Sequence, residues 1–354
     1  MDSIDNSKPL VPRGFNIDTI IRYALRTVYS VVGSYVIASA LLHKQLFTVS
    51  RKDSVSVAVA LLAVTNTVLP GISKLTSRIL RGSNQPVQWT KEIVVVTGGS
   101  NGIGLELVKR LLRAGARVAI LDVHPFPIDD ARYSDQWRYY NCDITKLDVV
   151  KATADQIRNE LGDATMLVNN AGVVVGKLLL DMTDAEVDKV INVNLTSHYH
   201  LIRQFLPAML RAKRGHIVSL GSIASLAGAP QSSTYCASKA GVKLLNDTML
   251  YEISHRYGAN DIQFTIAYPG VVNTGLFRGT DLGQFLWPTL RPDSIARPLF
   301  DALNSGKSQE IFLPMSGNIL RIINIFPLAM RLPLQNILGR ANDSMSKFAG
   351  HIKY

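Results

Sequence analysis

The chain has 354 residues, 47% of them hydrophobic, which is enough for one large α/β domain of about 250 residues plus an appendage and excludes a small stapled fold. Cys142 and Cys236 are the only cysteines and stand at no metal-binding spacing, so reduced thiols, a cytosol-facing domain and no metal are expected. The formal charge of +11 comes without zinc-finger spacing, an RNA-binding aromatic signature or a long basic run; it sets nucleic acid aside and points to a basic face toward anionic lipid.

Residues 1–26 are polar, mixed in charge and broken by Pro9, Pro12 and Gly14, which reads as a flexible head. Two uncharged runs follow, Thr27 to Leu42 and Val55 to Ile72, 16 and 18 residues long and separated by a stretch with Lys44, Arg51 and Lys52. Both are near the short end of the roughly 20 residues that a spanning helix needs. Segment 27–80 is therefore expected to anchor the chain in a membrane, as a hairpin or as one span with a re-entrant partner; two interfacial helices packed on the main domain are the alternative. Lys74, Arg78 and Arg81 follow the second run and place the large domain on the cytosolic side. Residues 81–91 lose the apolar run and read as a linker.

From 92 to 315 the pattern changes to strands alternating with helices. Ile93 to Val96 is a β-branched run of the kind a parallel strand buried on both faces requires. It runs into Thr97-Gly98-Gly99-Ser100-Asn101-Gly102-Ile103-Gly104, after which Leu105 to Ala114 has helical spacing. Strand, glycine turn and helix together form a phosphate-binding loop, because glycines let the backbone approach a pyrophosphate at the positive end of the helix. The second strand, Arg117 to Asp122, ends in an acid 18 residues beyond Gly104. A carboxylate there accepts from both ribose hydroxyls and repels a 2′-phosphate, which favours NAD over NADP; a strand-terminal acid that caps the next turn is the plainer reading. Asp143, after a short strand from Tyr139 to Cys142, is a candidate to meet the adenine amino group. A helix from Lys146 to Leu161 leads to the strand Met166 to Asn169, which closes in Asn170, Ala171 and Gly172, small groups that leave room for a ligand.

Tyr235 and Lys239 stand four apart, so on a helix they share one face. A fixed ammonium near a phenol favours the phenolate, which makes Tyr235 a proton donor and acceptor near neutrality, with Ser222 hydrogen-bonded to the reacting oxygen. His198 and His200, two apart on the long helix from Asp184 to Met209, whose pattern is interrupted near Asn192 to Asn194, read as packing residues, and Ser225, Ser232, Ser233 and Ser238 as turn or helix-start residues. After the strand Ile262 to Tyr268, the segment to Arg291 carries Leu276, Phe277, Leu282, Phe285, Leu286 and Trp287, as lids and membrane contacts do. Glu310 to Leu313 is the last strand. The tail, 316–354, is basic and apolar, and Pro327 and Pro333 are expected to break it into pieces too short to span, suited to a bilayer interface or a dimer contact.

Thr97 to Gly104, Asn169 to Gly172, Asn194, Ser222, Tyr235 with Lys239, and Pro269-Gly270 with Thr274 stand in an order and spacing that resemble the short-chain dehydrogenase/reductase family over roughly residues 91–313. Looser matches, among them His198-Tyr199, Phe205 to Met209 and Gly215 to Val218, resemble its membrane-bound branch of retinol dehydrogenases and 17-beta-hydroxysteroid dehydrogenases. The resemblance implies a Rossmann-type doubly wound parallel sheet of about seven strands, a nicotinamide cofactor and hydride transfer between an alcohol and a carbonyl. It implies that Asn194 holds a water relaying protons from Lys239, that Lys239 also binds the nicotinamide ribose beside Tyr235, and that Pro269, Gly270, Val272 and Thr274 seat the carboxamide. The expected protein is a membrane-anchored homodimer at the endoplasmic reticulum or a lipid droplet, acting with NAD on a sterol, retinoid or long-chain lipid. An NADPH-linked lipid ketone reductase and a binding protein with a vestigial site are the alternatives.

Overall fold

The computed structural model describes residues 87–128, 130–277, 279–280, 289–339, 345 and 348. The expected head, both uncharged runs, the first part of the linker, the apolar positions 282 and 285–287 and the end of the tail lie outside these.

Strand β1 (Ile93–Thr97) is buried along its whole length. Its side chains alternate, Ile93 and Val95 entering one apolar cluster and Val94 and Val96 the other, so a single β-branched run serves two cores. β2 (Arg117–Asp122) splits the same way, with Ala119 and Leu121 on one side and Val118 and Ile120 on the other. With β3 (Trp137–Asn141), β4 (Met166–Asn169), β5 (Gly215–Leu220), β6 (Ile262–Pro269) and β7 (Glu310–Leu313) they form a seven-stranded sheet in the order β3-β2-β1-β4-β5-β6-β7. Every pairing is parallel, so each connection must cross over, and helices do the crossing.

Helix α1 (Gly102–Ala114) covers one face through Leu107, Val108, Leu111 and Leu112. On the other face lie α2 (Leu147–Glu160), α3 (Asp184–Ile191), α4 (Ser197–Ala212) and α5 (Ser233–His255), with Val150, Ile157, Leu201, Phe205, Leu245 and Met249 inside. Helix α6 (Pro292–Ser305) packs beside α1 through Ile295, Leu299 and Leu303, and Arg110 pairs with Asp293 across the two. Part of the expected linker belongs to this side: Trp89 stacks on Phe300 at 4.8 Å and donates to Asn304. The strand order reverses between β1 and β4, and the crevice at their carboxyl ends is where such sheets bind ligands.

Three local departures have physical causes. β3 begins at Trp137, two residues ahead of the expected start, because it is an edge strand with only Tyr140 buried and lacks an apolar run. The expected long helix is two helices joined by a π-helical turn, Asn192–Thr196, an insertion that turns Asn194 fully inward. The tail is less broken than expected, since α7 (Ile319–Ile323) is followed by α8 (Leu328–Gly339) with Pro333 inside it. Leu334 holds that helix to Leu320 and Ile323, so packing outweighs one lost backbone bond. Among the described residues no helix is long and apolar enough to cross a membrane.

Candidate active site

The turn after β1 has the steric marks of a loop that a ligand's phosphate approaches. Gly98 and Gly102 have φ of +64° and +56°, a region that side-chain-bearing residues avoid. A Cβ on Gly104 would stand 2.1 Å from the Gly98 carbonyl oxygen and 2.6 Å from Asn170 Nδ2, so the loop closes only on glycine. Asn101 caps α1 by accepting from the Gly102 amide at 2.7 Å, and Ile103 packs under the helix start. From the β4 side, Asn170 donates to the carbonyls of Thr97 at 2.9 Å and Gly98 at 3.1 Å, while the Thr97 hydroxyl accepts from the amides of Asn170 and Ala171. Thr274 closes the far side, its Cγ2 standing 2.9 Å from where a Gly102 Cβ would be.

Asp122 ends β2 with only 10% of its side chain exposed. One carboxylate oxygen accepts from the Ser100 amide at 3.0 Å and the other from the His124 amide at 3.0 Å, and the Ser100 hydroxyl donates to the His124 carbonyl. It therefore caps the next turn and also fixes the glycine loop. Asp143 accepts from the amide and hydroxyl of Thr145 on one oxygen, which makes it a turn-builder at the end of β3.

The second group gathers at the ends of β4 and β5 and the start of α5. Asn194 Oδ1 accepts from the Val173 amide at 2.8 Å, and its Nδ2 donates to the Val173 carbonyl at 2.9 Å and the Ser238 hydroxyl at 3.1 Å. This buried amide thus treats the segment after Gly172 as a strand partner. Lys239, 3% exposed, donates to the Leu220 carbonyl at 2.7 Å, and its Nζ lies 5.8 Å from the centre of the Tyr235 ring. Gly172 faces both, since a Cβ there would be 3.4 Å from Asn194 Oδ1 and 3.6 Å from Lys239 Nζ. The Ser222 hydroxyl donates to the Pro269 carbonyl at 3.3 Å and accepts from the Ala224 amide at 3.1 Å.

Burial dominates the electrostatics. It pushes the Tyr235 phenol up to about 12 against the opposing hydrogen bond from Ser222, and it brings the Lys239 ammonium down to about 8. The expectation of a Tyr235 lowered by Lys239 is thus replaced, in the protein alone, by a tyrosine that keeps its proton beside a lysine still mostly charged at pH 7. His198 is buried, with Nδ1 unpaired, and burial followed by the charge of Lys239 lowers it to about 3. Among the described residues no cluster of side chains could hold a metal.

Tyr235 and Ser222 stand in the wall of a pocket enclosing about 740 Å³ of empty space, open to solvent. The rest of the wall is largely apolar, with Ile223, Ala227, Val271, Phe277, Leu320 and Met345, and Phe277 meets the Tyr235 ring edge-on at 5.2 Å. Gly270 lines it too, its amide bonded to the Leu313 carbonyl at 2.7 Å, whereas Val272 is buried and bridged to Leu290.

The expected residues except Asp143, a turn-builder, and Val272, buried against Leu290, are tied by the contacts above to the crevice or the pocket, Asp122 through the Ser100 amide. Sequence reasoning missed two serines. Ser238 is fully buried between Asn194 and the Tyr235 carbonyl, and Ser225 donates to the Lys239 carbonyl at 2.9 Å while accepting from the Ser222 amide. The available signal was spacing, Ser238 three residues after Tyr235 and Ser225 three after Ser222.

Comparison with known proteins gives a consistent picture. The family model described as short chain dehydrogenase matches residues 92–283. Dehydrogenase RED2 of Cochliobolus heterostrophus is 39% identical over 197 residues, which is 56% of this chain and 74% of that protein. Epidermal retinol dehydrogenase 2 of Mus musculus is 33% identical over 70% of this chain and 82% of its own length. 17-beta-hydroxysteroid dehydrogenase 13 of Rattus norvegicus is 29% identical over 66% and 79%. Among solved structures, the ligand-free aldohexose dehydrogenase of Thermoplasma acidophilum superposes with a TM-score of 0.58 at 23% identity over 66% of this chain and 97% of that one, a likeness of fold.

Proposed function

Since the chain belongs to the short-chain dehydrogenase family and is an NAD(P)-dependent oxidoreductase, we propose that it moves hydride between NAD and the hydroxyl or carbonyl carbon of a lipophilic molecule at a membrane or lipid-droplet surface. The observation that carries this reading is the pocket, in which Tyr235 and Ser222 stand with a few other polar groups, Ser232, Thr280 and Gln335, in a largely apolar wall. Such a wall favours a sterol, retinoid or long-chain lipid over a small polar alcohol, in keeping with the relatives named for retinol and 17-beta-hydroxysteroids.

The glycine loop and the start of α1 fit the pyrophosphate of a dinucleotide, and Asp122 favours NAD by repelling a 2′-phosphate. The nicotinamide, when bound, supplies or accepts the hydride. The chain's own residues handle the proton. Tyr235, held protonated by burial, donates to a carbonyl oxygen in reduction; in oxidation it must first give its proton up, which higher pH assists. Ser222 orients the reacting oxygen, with its hydroxyl tethered at the Pro269 carbonyl. Lys239 steadies the phenolate electrostatically from the Leu220 carbonyl, and Asn194 shapes the path behind it through Val173 and Ser238.

The membrane part of the reading is supported by the two uncharged runs in 27–80 and by the tail. Ile325, Leu328, Met330, Leu332 and Ile337 are each at least half exposed, with Arg331 among them, an unusual display for a surface in water and suited to a lipid interface.

The test is binding of NADH against NADPH to the detergent-solubilised chain, followed by turnover on sterols, retinoids and long-chain alcohols, with Tyr235→Phe in parallel. The expected result is tighter NADH, lipid turnover, and a variant that binds cofactor without turning over. NADPH preference refutes the Asp122 argument, and turnover by Tyr235→Phe refutes the mechanism. Failure of both cofactors to bind indicates a binding protein.

A further inference from the structure

One side chain of the C-terminal tail lines the substrate pocket and a second packs beside it. Met345 is 3% exposed, lines the wall with Tyr235 and Ser222, and its sulfur accepts from the Thr280 hydroxyl at 3.5 Å. The Phe348 amide donates to the Met345 carbonyl at 3.0 Å, and the Phe348 ring joins the apolar group formed by Val174, Val190 and Tyr235. The seat of that ring is Gly176, where a Cβ would meet three ring carbons of Phe348 at 2.0, 2.3 and 2.6 Å. Gly176 lies outside the positive-φ region, so its backbone tolerates a side chain. It is the aromatic ring, not a turn, that keeps the position bare.

We infer that Met345 in the pocket wall, backed by the Phe348 ring seated on Gly176 and packed with Tyr235, determines specificity and sets the girth of the lipophilic group that reaches Tyr235. The inference takes its chemistry from the oxidoreductase reading above, but the selectivity it describes belongs to binding and can be measured without turnover. A phenyl ring and a thioether carry neither a charge nor a transferable proton, so both act through shape and apolar contact. The rigid ring backs the Tyr235 side of the site through the apolar group it joins, and the flexible methionine adapts the wall itself. Removing a well-packed group from such a wall changes discrimination between ligands by about tenfold or more.

The experiment uses the full chain in detergent and the displacement of bound 1-N-phenylnaphthylamine by two competitors, 1-dodecanol and a tetracyclic sterol. Phe348→Ala is expected to move the affinity ratio toward the sterol by about tenfold. Met345→Ala, which leaves Gly176 untouched, should move it the same way. Gly176→Leu displaces the ring and alters the ratio, and Gly176→Leu with Phe348→Ala, in which the leucine fills the space left by the ring, returns it to within about threefold of the parent. Ratios within about twofold of the parent in Phe348→Ala and Met345→Ala, at unchanged thermal midpoints, overturn the inference. So does a double variant whose shift is the plain sum of its parts. Oxidation of both alcohols measured on the same samples separates the two claims. Shifted displacement without any turnover supports the wall and refutes hydride transfer to these alcohols, whereas turnover with unshifted ratios refutes the wall and leaves hydride transfer standing.

Discussion

Two buried histidines among the described residues make the fold sensitive to acid in a way that can be calculated. His216, on β5, is 3% exposed and is lowered from the ordinary 6.5 to about 3 by burial. The Thr265 hydroxyl donates to the Lys307 carbonyl, so it accepts from His216 Nε2 at 2.9 Å, and among the described residues His216 Nδ1 has no partner to stabilise a proton. A folded value below the unfolded one means that the unfolded chain takes up the proton first. The stabilisation is complete above pH 6.5 and is lost as the pH falls from there toward 3. At pH 5, about 1.5 units below the unfolded value, the loss is about 2 kcal/mol for this group, and His198 adds a similar amount. His216→Gln keeps a donor at the Nε2 position and removes the titration. Urea midpoints of parent and variant at pH 7 and pH 5 are the assay, with the variant expected to retain about 2 kcal/mol that the parent loses between the two. Equal losses in the two proteins refute the argument. Burial keeps the Tyr235 proton in place well above pH 6, so in the direction of carbonyl reduction a fall in activity below pH 6 should follow unfolding and not the chemistry.

Other outcomes follow from contacts already described. Gly104→Ala places a methyl where the Gly98 carbonyl and the Asn170 amide already sit, so NADH affinity, read by fluorescence titration, should fall by about a hundredfold, with a lower thermal midpoint. Unchanged affinity would mean that the glycine loop does not bind the dinucleotide. Ser238→Ala leaves a buried donor of Asn194 unpaired and should cost about 1–3 kcal/mol, or several degrees in a thermal melt; an unaltered midpoint would show that Asn194 is held by Val173 alone. Asp122→Ser should narrow any preference for NADH over NADPH while loosening the glycine loop, because the same carboxylate supports the Ser100 amide.

The elements that could be read from the sequence are those in which one physical demand sets the composition. A parallel strand buried on both faces must be apolar at every position, and Ile93 to Val96 satisfies that without reference to the rest of the chain. A glycine turn between strand and helix is equally local, as is the i,i+4 spacing of Tyr235 and Lys239. Helix α6 was not legible because Pro292 and Pro298 fall within it. The first sits harmlessly at the helix start, and the cost of the second is offset by Ile295, Leu299 and Leu303 packed against α1, contacts made by residues almost two hundred positions away. Edge strand β3 was misjudged at its start for the opposite reason: little of it is buried, so its composition is hardly constrained.

The site divides along the same line. The residues proposed to do the chemistry could be named from the sequence, but the groups that hold them could not, because Ser238 meets Asn194 across 44 positions and Ser225 meets Lys239 across 14. A buried serine and an exposed helix-start serine look alike in sequence, and only the partner separates them. The tail poses the sharpest ambiguity. Leu, Ile, Met and Phe around Arg321 and Arg331 satisfy a bilayer interface, a second copy and the protein's own pocket equally well. The structure divides the segment, since Leu320, Met345 and Phe348 turn inward toward the pocket or its apolar surround, whereas Ile325, Leu328 and Ile337 remain exposed. On the function proposed above, one short stretch of chain would carry both an apolar surface suited to a lipid interface and, in Met345, a residue of the pocket wall.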